Sequence, residues 1–387
     1  MSVVFDANSF TGTGQTVTIN QLAYCKDMTW TGVNNNPTLN GTQELDIYGS
    51  LTLSSAMTLT YTGNLYFKSN TTTATITTAG RIIRSSIYFD GTGGGWTLQD
   101  SLITKPTSLY LNNGSLNTNG QYVFIGRFNS AVSGVRSLTL GSSTVEVPFS
   151  HSSFNAWDVS ASNFTVNAGT SLIKLTGLNP RFSGGFTYYD ITFTNPTGSN
   201  VSLGPGTYHN VTFANEAGIY TSTFNNVIIG GNGFFSGNCN YNNLTLSPNK
   251  TYTFNNATTH AFNGNLTANG TCAGPIDVTC TTGFSTFSKS SGTVNINYIR
   301  LKNIHSTGGA SFTANNVTDF GGNTGWLLNQ PSAKTLYWIG NTGNWSDEAH
   351  WSTSSGGPSG NCLPSIYDHV VFDANSFTGT GDRKSVV

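Results

Sequence analysis

The sequence predicts an all-β protein, built as a parallel β-helix with a small Trp-rich β module near its C-terminus. Three observations predict it. Apolar and polar residues alternate over short stretches from about 45 to 301, which indicates half-buried strands, and no stretch of ten or more residues has helical periodicity. Related strand motifs recur at a spacing of about 20 residues, as stacked coils would require. A longer segment occurs twice, once near each end of the chain.

The duplicated segment is VVFDANSFTGTG, which runs from Val3 to Gly14 and returns unchanged from Val370 to Gly381. Identity over this length indicates an internal repeat in which position 370 corresponds to position 3. We therefore interpret almost the whole chain as one repeat of a tandem array, opened near its own beginning. The final six residues (382–387, DRKSVV) do not resemble QTVTIN, which follows the first copy. We interpret them as a non-native tail translated from a sequencing adapter.

The composition favours a folded chain with a nearly neutral polar surface. Charged residues make up 9% of the chain, against roughly 25% in ordinary domains. The 24 Phe, 16 Tyr and net charge of −1 argue against disorder. A neutral surface offers no electrostatic footprint for nucleic acid, and no apolar run is long enough to span a membrane. We therefore expect no nucleic-acid partner and no membrane insertion.

The coil motif is clearest in YYDITFTN (188–195) and YHNVTFAN (208–215), which align so that position 208 corresponds to position 188. A parallel β-helix predicts that Ile191 stacks on Val211 and Phe193 on Phe213, with all four pointing inward. Asparagines at the bends would form ladders between coils, including a contact between Asp190 and its counterpart in the next coil. The alternative fold is a string of β-sandwiches, which predicts hairpins and antiparallel pairing.

The composition changes near position 329. Residues 1–328 are assigned to the β-helix repeat unit and 329–334 (NQPSAK) to a linker, because Gln-Pro disfavours continued regular structure. Residues 335–381 then form the Trp-rich module together with the first strand of the next repeat.

Three motifs resemble the large repetitive surface proteins of Bacteroidetes. They are WIGNTGNWSD with its following HWS and CLPSIYDHVVFDANSF, the run NLTANGTCAGPIDV (265–278), and TGGASFTANNVTDFGGNTGW (307–326). The resemblance covers nearly all of residues 1–381. It implies a right-handed, single-stranded β-helix of the pectin-lyase-like type, often arrayed and exported through the gliding-associated secretion pathway. It also implies an extracellular or cell-surface location, an adhesive role and no reaction.

Catalytic and metal motifs are not evident. Glycoside hydrolysis needs two carboxylates at a defined separation, whereas the acids here are scattered singly. The six histidines show no metal-binding spacing, and the Gly-rich runs lack the context of phosphate loops. We therefore expect no catalytic residue, no cofactor and no metal, and no two carboxylates within about 6 Å of each other on the floor of a groove. The acids considered are Asp90, Asp100, Glu146, Asp158, Asp190, Glu216 and Asp277.

The best binding candidates are the aromatic residues Tyr337, Trp338, Trp345 and Trp351. Exposed Trp faces bind sugar rings, whereas Trp clusters in Gly-rich segments also form small cores. A β-helix needs its open end covered, because the terminal coil exposes unpaired backbone. Glycan binding and capping both remain open for these four residues.

The odd number of cysteines needs an explanation in a secreted protein. We expect Cys25 and Cys362 to bridge the Trp module to the first coil within each complete repeat, so that here both are orphaned thiols. Cys272 and Cys280 flank AGPIDVT and are the expected disulfide, with Cys239 left single. The alternative for these last three is a set of buried thiols.

Three functions remain open. The first is a non-catalytic structural or adhesive repeat of a large secreted bacterial surface protein, with surface glycans, other surface proteins and neighbouring repeats as its partners. The second is a phage tail-spike-like receptor-binding protein, which predicts a trimer. The third is a carbohydrate-active β-helix lyase or hydrolase, which predicts acids brought together in stacked coils.

Overall fold

The computed structural model describes residues 1–378, and over that range the chain is all-β apart from one turn of 3₁₀ helix at Glu348–His350. The strands stack in parallel as a β-helix, so the predicted fold class is confirmed. The predicted tail at 382–387 lies outside the described residues, as do the last three residues of the second dodecamer. No helix in the described part of the chain is long and apolar enough to cross a bilayer.

The chain forms two compact units, the first comprising Met1–Gly231 with Gly237–Cys239 and the second comprising Asn232–Ser236 with the residues from Asn240 onward. The strands of the first unit are β1 (Val3–Phe5), β2 (Thr16–Ile19), β3 (Ala23–Cys25), β4 (Met28–Trp30), β5 (Thr38–Gly41), β6 (Leu45–Ile47), β7 (Leu51–Thr52), β8 (Thr58–Leu59), β9 (Leu65–Phe67), β10 (Ala74–Thr77), β11 (Ile87–Leu98), β12 (Leu102–Ile103), β13 (Ser108–Asn117), β14 (Val123–Phe124), β15 (Arg127–Asn129), β16 (Arg136–Thr139), β17 (Thr144–Val147), β18 (Trp157–Asp158), β19 (Phe164–Asn167), β20 (Leu172–Leu175), β21 (Arg181–Phe182), β22 (Thr187–Phe193), β23 (Ser202–Leu203), β24 (Gly206–Phe213), β25 (Ala217–Ile219) and β26 (Ser222–Ile229).

The remaining strands, nearly all of whose residues belong to the second unit, are β27 (Gly233–Phe235), β28 (Cys239–Leu246), β29 (Thr251–Phe254), β30 (Thr259–Phe262), β31 (Leu266–Ala268), β32 (Ile276–Cys280), β33 (Ser285–Ser288), β34 (Thr293–Asn297), β35 (Ile299–Lys302), β36 (Ile304–Thr307), β37 (Ser311–Asn315), β38 (Thr318–Asp319), β39 (Trp326–Asn329), β40 (Thr335–Trp338), β41 (Trp351–Ser352) and β42 (His369–Val371). The predicted linker at 329–334 begins on Asn329, the last residue of β39, and otherwise occupies the segment before β40.

Three strands make one coil at the start of the first unit. β1, β2 and β3 pair in parallel with β4, β5 and β6 respectively, and β4, β5 and β6 pair with β7, β8 and β9. Because successive side chains of a strand point to opposite faces, alternate residues enter the interior of each coil and stack on those of the next. This arrangement explains why short alternating stretches recur along the sequence.

The predicted register between positions 188 and 208 is confirmed. Ile191 lies opposite Val211 and Phe193 opposite Phe213, in parallel strands, and all four side chains are buried. The Phe193 and Phe213 rings stack with centroids 4.6 Å apart. Parallel pairing throughout the described coils excludes the β-sandwich alternative, and antiparallel pairing is described for β40 with β41, in the Trp-rich module.

Asparagine has two structural roles at the bends. It supplies most of the non-glycine residues with positive φ, a conformation that asparagine tolerates better than other residues. It also forms ladders along the stack. In the first unit Asn210 donates to Asp190 at 2.8 Å, and Asn226 donates to Asn210 at 2.7 Å. The high Asn content therefore follows from the number of bends and from hydrogen bonding between coils.

The cysteine pairing differs from both expectations. Cys272 is bonded to Cys362, with a Cα–Cα distance of 4.9 Å, so the predicted Cys272–Cys280 bridge is wrong and Cys362 is not orphaned. Cys280 ends β32 with its thiol buried, whereas Cys272 lies in the loop before that strand and reaches the loop before β42. Cys25, Cys239 and Cys280 are buried thiols, and burial, followed by the charge of Asp27, raises the pKa of Cys25 to about 11.

Candidate functional site

The Trp-rich module is organised on β40. This strand pairs antiparallel with β41 and parallel with β42, and the three strands enclose a small core of Leu336, Trp338 and Trp351. The indole rings of Trp338 and Trp351 meet edge to face, with centroids 5.0 Å apart. Both rings are buried and therefore cannot present a face to a sugar.

Polar groups inside the module are satisfied locally. The indole N–H of Trp338 donates to the Asn341 carbonyl at 2.7 Å, and that of Trp351 donates to the Trp345 carbonyl at 2.9 Å. His350 stacks on Trp338 with its ring centroid 4.7 Å away, and its Nδ1 lies 2.8 Å from the Ile339 carbonyl oxygen. His350 is therefore a packed residue of the module.

Trp345 differs from the other module tryptophans because 52% of its surface is exposed. One edge contacts the Trp351 ring at a centroid distance of 4.8 Å, and the rest of the indole lies at a cleft of about 380 Å³. Tyr337, the fourth predicted aromatic, is half-buried between Ser352 and Val371 on neighbouring strands. Of the four aromatic candidates, Trp345 has the ring most available to a ligand.

The cleft lies between the module and the coils of the second unit, and the Cys272–Cys362 disulfide forms part of its wall. Its other lining residues include Tyr298, Arg300, Lys334, Trp345, Pro364 and Asp368. The disulfide fixes the separation of the two walls, because it links the loop before β32 directly to the loop before β42. The cleft is large enough for a small ligand and combines aromatic and polar surface.

Charges around the cleft are already compensated. Arg300 donates to Asp277 at 2.7 Å. The Asp368 carboxylate accepts the backbone N–H of Lys334 at 2.8 Å and both the N–H and the hydroxyl of Ser365, at 2.8 and 2.7 Å. The Lys334 ammonium lies 3.7 Å from Cys362 Sγ, and no carboxylate partner is described for it within residues 1–378. The two cationic side chains, of Arg300 and Lys334, nevertheless equal in number the two carboxylates, of Asp277 and Asp368, so the cleft carries no net formal charge. Its chemistry therefore suits an uncharged, hydroxyl-rich ring better than an anion or a cation.

Most of the scattered acids have structural partners. Asp90 accepts from Asn113, Asp100 from the backbone of Thr78 and Ala79, Glu146 from Tyr122, Asp158 from Arg127, Asp190 from Asn210, and Asp277 from Arg300. Glu216 differs, since one of its carboxylate oxygens is buried without a hydrogen bond. Over residues 1–378, no group of three or more His, Cys, Asp or Glu side chains is placed to hold a metal ion.

Sequence reasoning missed one charged cluster. Lys68 lies 2.7 Å from Asp46 and 3.6 Å from Glu44, so two carboxylates converge on one ammonium group. Glu44 immediately precedes β6 and Asp46 lies within it, two residues on, so extended backbone places both on one face; that spacing was the available signal. The ammonium offsets one of the two negative charges, and its shorter contact makes a salt bridge with Asp46.

A tyrosine ladder was also missed. Tyr66, Tyr88 and Tyr110 lie on successive coils, with ring centroids 4.3 and 4.5 Å apart and nearly parallel planes. Lys68 covers the outer face of Tyr66 at 4.7 Å. Because the ring faces contact each other, the ladder exposes mainly ring edges and is a poor platform for sugars.

The duplicated dodecamer forms the same turn at both sites over the residues that the structure describes, which end at 378 in the second copy. In the first copy, Asp6 accepts the N–H of Asn8 at 2.9 Å, and Ser9 Oγ accepts the N–H of Asp6 at 2.9 Å. In the second copy, Asp373 accepts the N–H of Asn375 at 2.9 Å, and Ser376 Oγ accepts the N–H of Asp373 at 2.9 Å.

The strand before the turn is also reproduced. It is β1 in the first copy and β42 in the second, and each pairs in parallel with a neighbouring strand.

Comparison with protein-family models, with curated proteins and with solved structures finds no match.

Proposed function

We propose that this chain is a non-catalytic structural and adhesive repeat of a large secreted bacterial surface protein. The observation that carries the proposal is the second dodecamer, which re-forms the strand and turn of the first coil on the edge of the Trp module. A chain in which the opening element recurs after a complete stack of coils is organised as a repeat.

Secretion is supported by the disulfide. Such bonds persist in oxidising compartments and are rare in the cytosol, where thiols are kept reduced. The Cys272–Cys362 bond joins the module to the coils, so its formation matters to the architecture. The scarcity of charge is also suited to a surface protein that must avoid unspecific attraction to nucleic acid and anionic surfaces.

The non-catalytic role is supported by the engagement of the acids. A glycosidase requires one protonated and one ionised carboxyl group facing the same substrate. Here the carboxylates considered as candidates are mostly held by amides, backbone N–H groups or basic side chains, and the Glu44–Asp46 pair is bound by Lys68.

The adhesive role is assigned to the cleft beside Trp345, with a neutral surface glycan as its partner. A half-exposed indole provides an apolar face for a sugar ring, while the surrounding Tyr298 and backbone groups offer hydrogen bonds to hydroxyls. The compensated charges disfavour acidic sugars.

A glycan array with the full chain tests this role. We expect binding to uncharged oligosaccharides, and Trp345→Ala should weaken it by about tenfold, the equivalent of one lost stacking contact of roughly 1.4 kcal/mol. Tyr48→Ala is the matched control, because Tyr48 is equally exposed but lies in the first unit. Binding that survives Trp345→Ala, or that is lost equally with Tyr48→Ala, would reject the cleft as the adhesive site.

Two further measurements separate the proposal from its alternatives. A tail-spike-like protein predicts a trimer in sedimentation equilibrium, and a lyase or hydrolase predicts release of new sugar ends from a polysaccharide. We expect a single chain that releases none. Turnover that disappears on substitution of one carboxylate by its amide would establish an enzyme instead.

A further inference from the structure

The two copies of the dodecamer are covered on different sides. In the first copy the covered side faces the coils. β1 pairs with β4, and the Phe5 and Phe10 rings pack on Trp30 with centroids 4.1 and 5.6 Å away. Asn35 fixes the same side, because its side chain donates to the Phe10 carbonyl at 2.7 Å.

The other side of the first copy is open. Val4 is 60% exposed, and Ser9 is exposed as well. β4 is the partner described for β1, and no second partner strand is described within residues 1–378. The first copy therefore has a coil-facing side that is packed and an opposite side that is not.

The second copy shows the reverse. β42 pairs with β40, and Ser376 is fully buried against the module, where its carbonyl accepts the N–H of Asn341 at 3.1 Å. Asn341 Oδ1 also accepts the N–H of Thr378 at 2.6 Å. The two phenylalanines that would face a coil are only partly covered. The Phe372 ring contacts the Trp338 and Trp351 rings at centroid distances of 5.9 and 6.5 Å, yet Phe372 is still 46% and Phe377 39% exposed.

The twelve residues are identical in the two copies, and their described parts form the same turn. Each copy is paired with a neighbouring strand on one side, so the two copies together show both neighbours of the shared strand. The N–H of Val3 points toward β4 and donates to the Asp27 carbonyl at 2.8 Å, whereas the N–H of His369 points toward β40 and donates to the Lys334 carbonyl at 2.8 Å. Val3 corresponds to Val370, the residue after His369, and successive residues of a strand direct their backbone groups to opposite edges. With the second copy laid on the first, β4 and β40 therefore lie along opposite edges of the shared strand. Phe372 and Phe377 then take the places of Phe5 and Phe10 against Trp30. No backbone group of the strand is used twice, because the two partners lie at opposite edges.

We propose that the partly covered face of the second dodecamer is the docking surface for the first coil of a second copy of this repeat. This face is formed by Phe372, Phe377 and the edge of β42 that has no partner strand within residues 1–378. The resulting strand order is β40–β42–β4, with the Trp30 indole of the second copy covering both phenylalanines. The inference rests on the repeat proposed above and identifies the surface through which one repeat meets the next.

In this arrangement the Trp module lies between two successive repeats. Its strand β40 pairs with the shared strand, which begins the next stack of coils. Its disulfide ties the module to the preceding stack, which ends at β39. The module is thus the joint between two stacks of coils. The module therefore covers the end of a stack of coils, which is the capping role considered above for the aromatic residues.

A tandem chain tests the joint. The full chain to Gly381 is continued by a second copy beginning at Gln15, and one cysteine pair is introduced, Val371→Cys in the first copy with Thr29→Cys in the second. Val371 is the counterpart of Val4, which lies opposite Thr29 in β1 and β4. Partners in adjacent parallel strands lie close enough for a disulfide.

Two control pairs calibrate the readout. Val4→Cys with Thr29→Cys in the first copy should bridge, because that pairing is present in the structure. Val371→Cys with Thr52→Cys in the second copy should not, because Thr52 lies one coil beyond Thr29. Bridging is measured by proteolysis and mass spectrometry after mild oxidation of the folded protein.

We expect the junction pair to bridge as completely as the Val4 control and at least tenfold faster than the Thr52 pair. Bridging at the Val4 control but not at the junction would overturn the proposal, as would equal bridging to Thr29 and Thr52. Failure of the Val4 control would also overturn it, because the β1–β4 register is its basis. None of these outcomes alters the results expected from the glycan-array and turnover measurements. The proposed function and the proposed docking surface can therefore fail separately.

A second readout does not depend on cysteines. Phe372→Ala should lower the melting temperature of the tandem chain by several degrees more than that of the single chain, where this ring is already half exposed. Equal losses in the two proteins would contradict the burial of Phe372 at the joint.

Discussion

The two dodecamers have one sequence and two environments. Phe10 is 6% exposed in the first copy, whereas its counterpart Phe377 is 39% exposed in the second. Ser9 is exposed and its counterpart Ser376 is completely buried. The local turn is nevertheless the same, because Asp6 and Asp373 accept matching hydrogen bonds from the backbone N–H groups of Asn8 and Asn375.

This difference separates the structural features that nearby residues determine from those that distant residues determine. The turn is specified by Asp and Ser side chains that bond to backbone groups two or three residues away. Burial is specified by partners far along the chain, which are Trp30 for one copy and the module strand β40 for the other. Perturbations of the distant partners should therefore change the two copies unequally.

Breaking the disulfide should have the largest effect. Cys272 and Cys362 are separated by 90 residues, and closing a loop of that length stabilises the folded chain by about 4 to 5 kcal/mol in the chain-entropy model. Reduction, or Cys272→Ser with Cys362→Ser, should speed amide exchange in β40 and β42 far more than in β1. The double Ser variant serves as the control, because reductant should not affect it further. Unchanged exchange in β42 would show that the module is held without the bond.

Removing Trp30 should destabilise the first copy almost as strongly. Trp30 is fully buried against Phe5 and Phe10, and Trp→Ala in a core costs about 3 to 5 kcal/mol. Trp345→Ala is the matched substitution in the module and should cost at most about 1 kcal/mol, because that ring is half exposed. Chemical denaturation of both variants measures the difference. Similar losses would mean that the two rings are equally packed.

Acid should distinguish the two units. His260 is buried in the second unit, with Nδ1 3.2 Å from Tyr241 Oη and Nε2 3.2 Å from Thr258 Oγ1. Burial lowers the pKa of His260 to about 3. Since its folded pKa lies below the unfolded value, its contribution is complete above pH 6.5 and is lost as the pH falls toward 3.

At pH 4.5 this loss amounts to about 2 to 3 kcal/mol, because the unfolded chain binds a proton that the folded chain does not. Amide exchange near His260 should accelerate between pH 6.5 and 4.5, after correction for the intrinsic rate, more than exchange in β1. His260→Asn should flatten this pH dependence by one proton. A slope that is the same in the variant would assign the acid sensitivity to other groups.

The coil architecture could be predicted because its determinants repeat in the sequence. The alignment of YYDITFTN with YHNVTFAN was enough to place Ile191 on Val211, and the abundance of Asn was enough to predict ladders at bends. Both follow from a period that brings like residues together in successive coils.

The cleft could not be predicted in the same way. The two cysteines in its walls are 90 residues apart in segments that share no motif, so the sequence does not indicate the Cys272–Cys362 bond. Proximity in sequence favours Cys280 instead, which is a free thiol in the structure. The four aromatic residues of the module were identified, but the separation of buried Trp338 and Trp351 from exposed Trp345 depends on the fold of β40, β41 and β42.

The unequal packing of identical residues is tested most directly by one matched pair of substitutions, Phe10→Ala and Phe377→Ala, in the same chain. The two changes have the same chemistry and the same local sequence, so any difference reports only the distant partners. Phe10→Ala should reduce the free energy of unfolding by about 3 kcal/mol and Phe377→Ala by about 1 kcal/mol, measured by urea denaturation. Equal losses, or a larger loss at Phe377, would contradict the account of two half-covered copies.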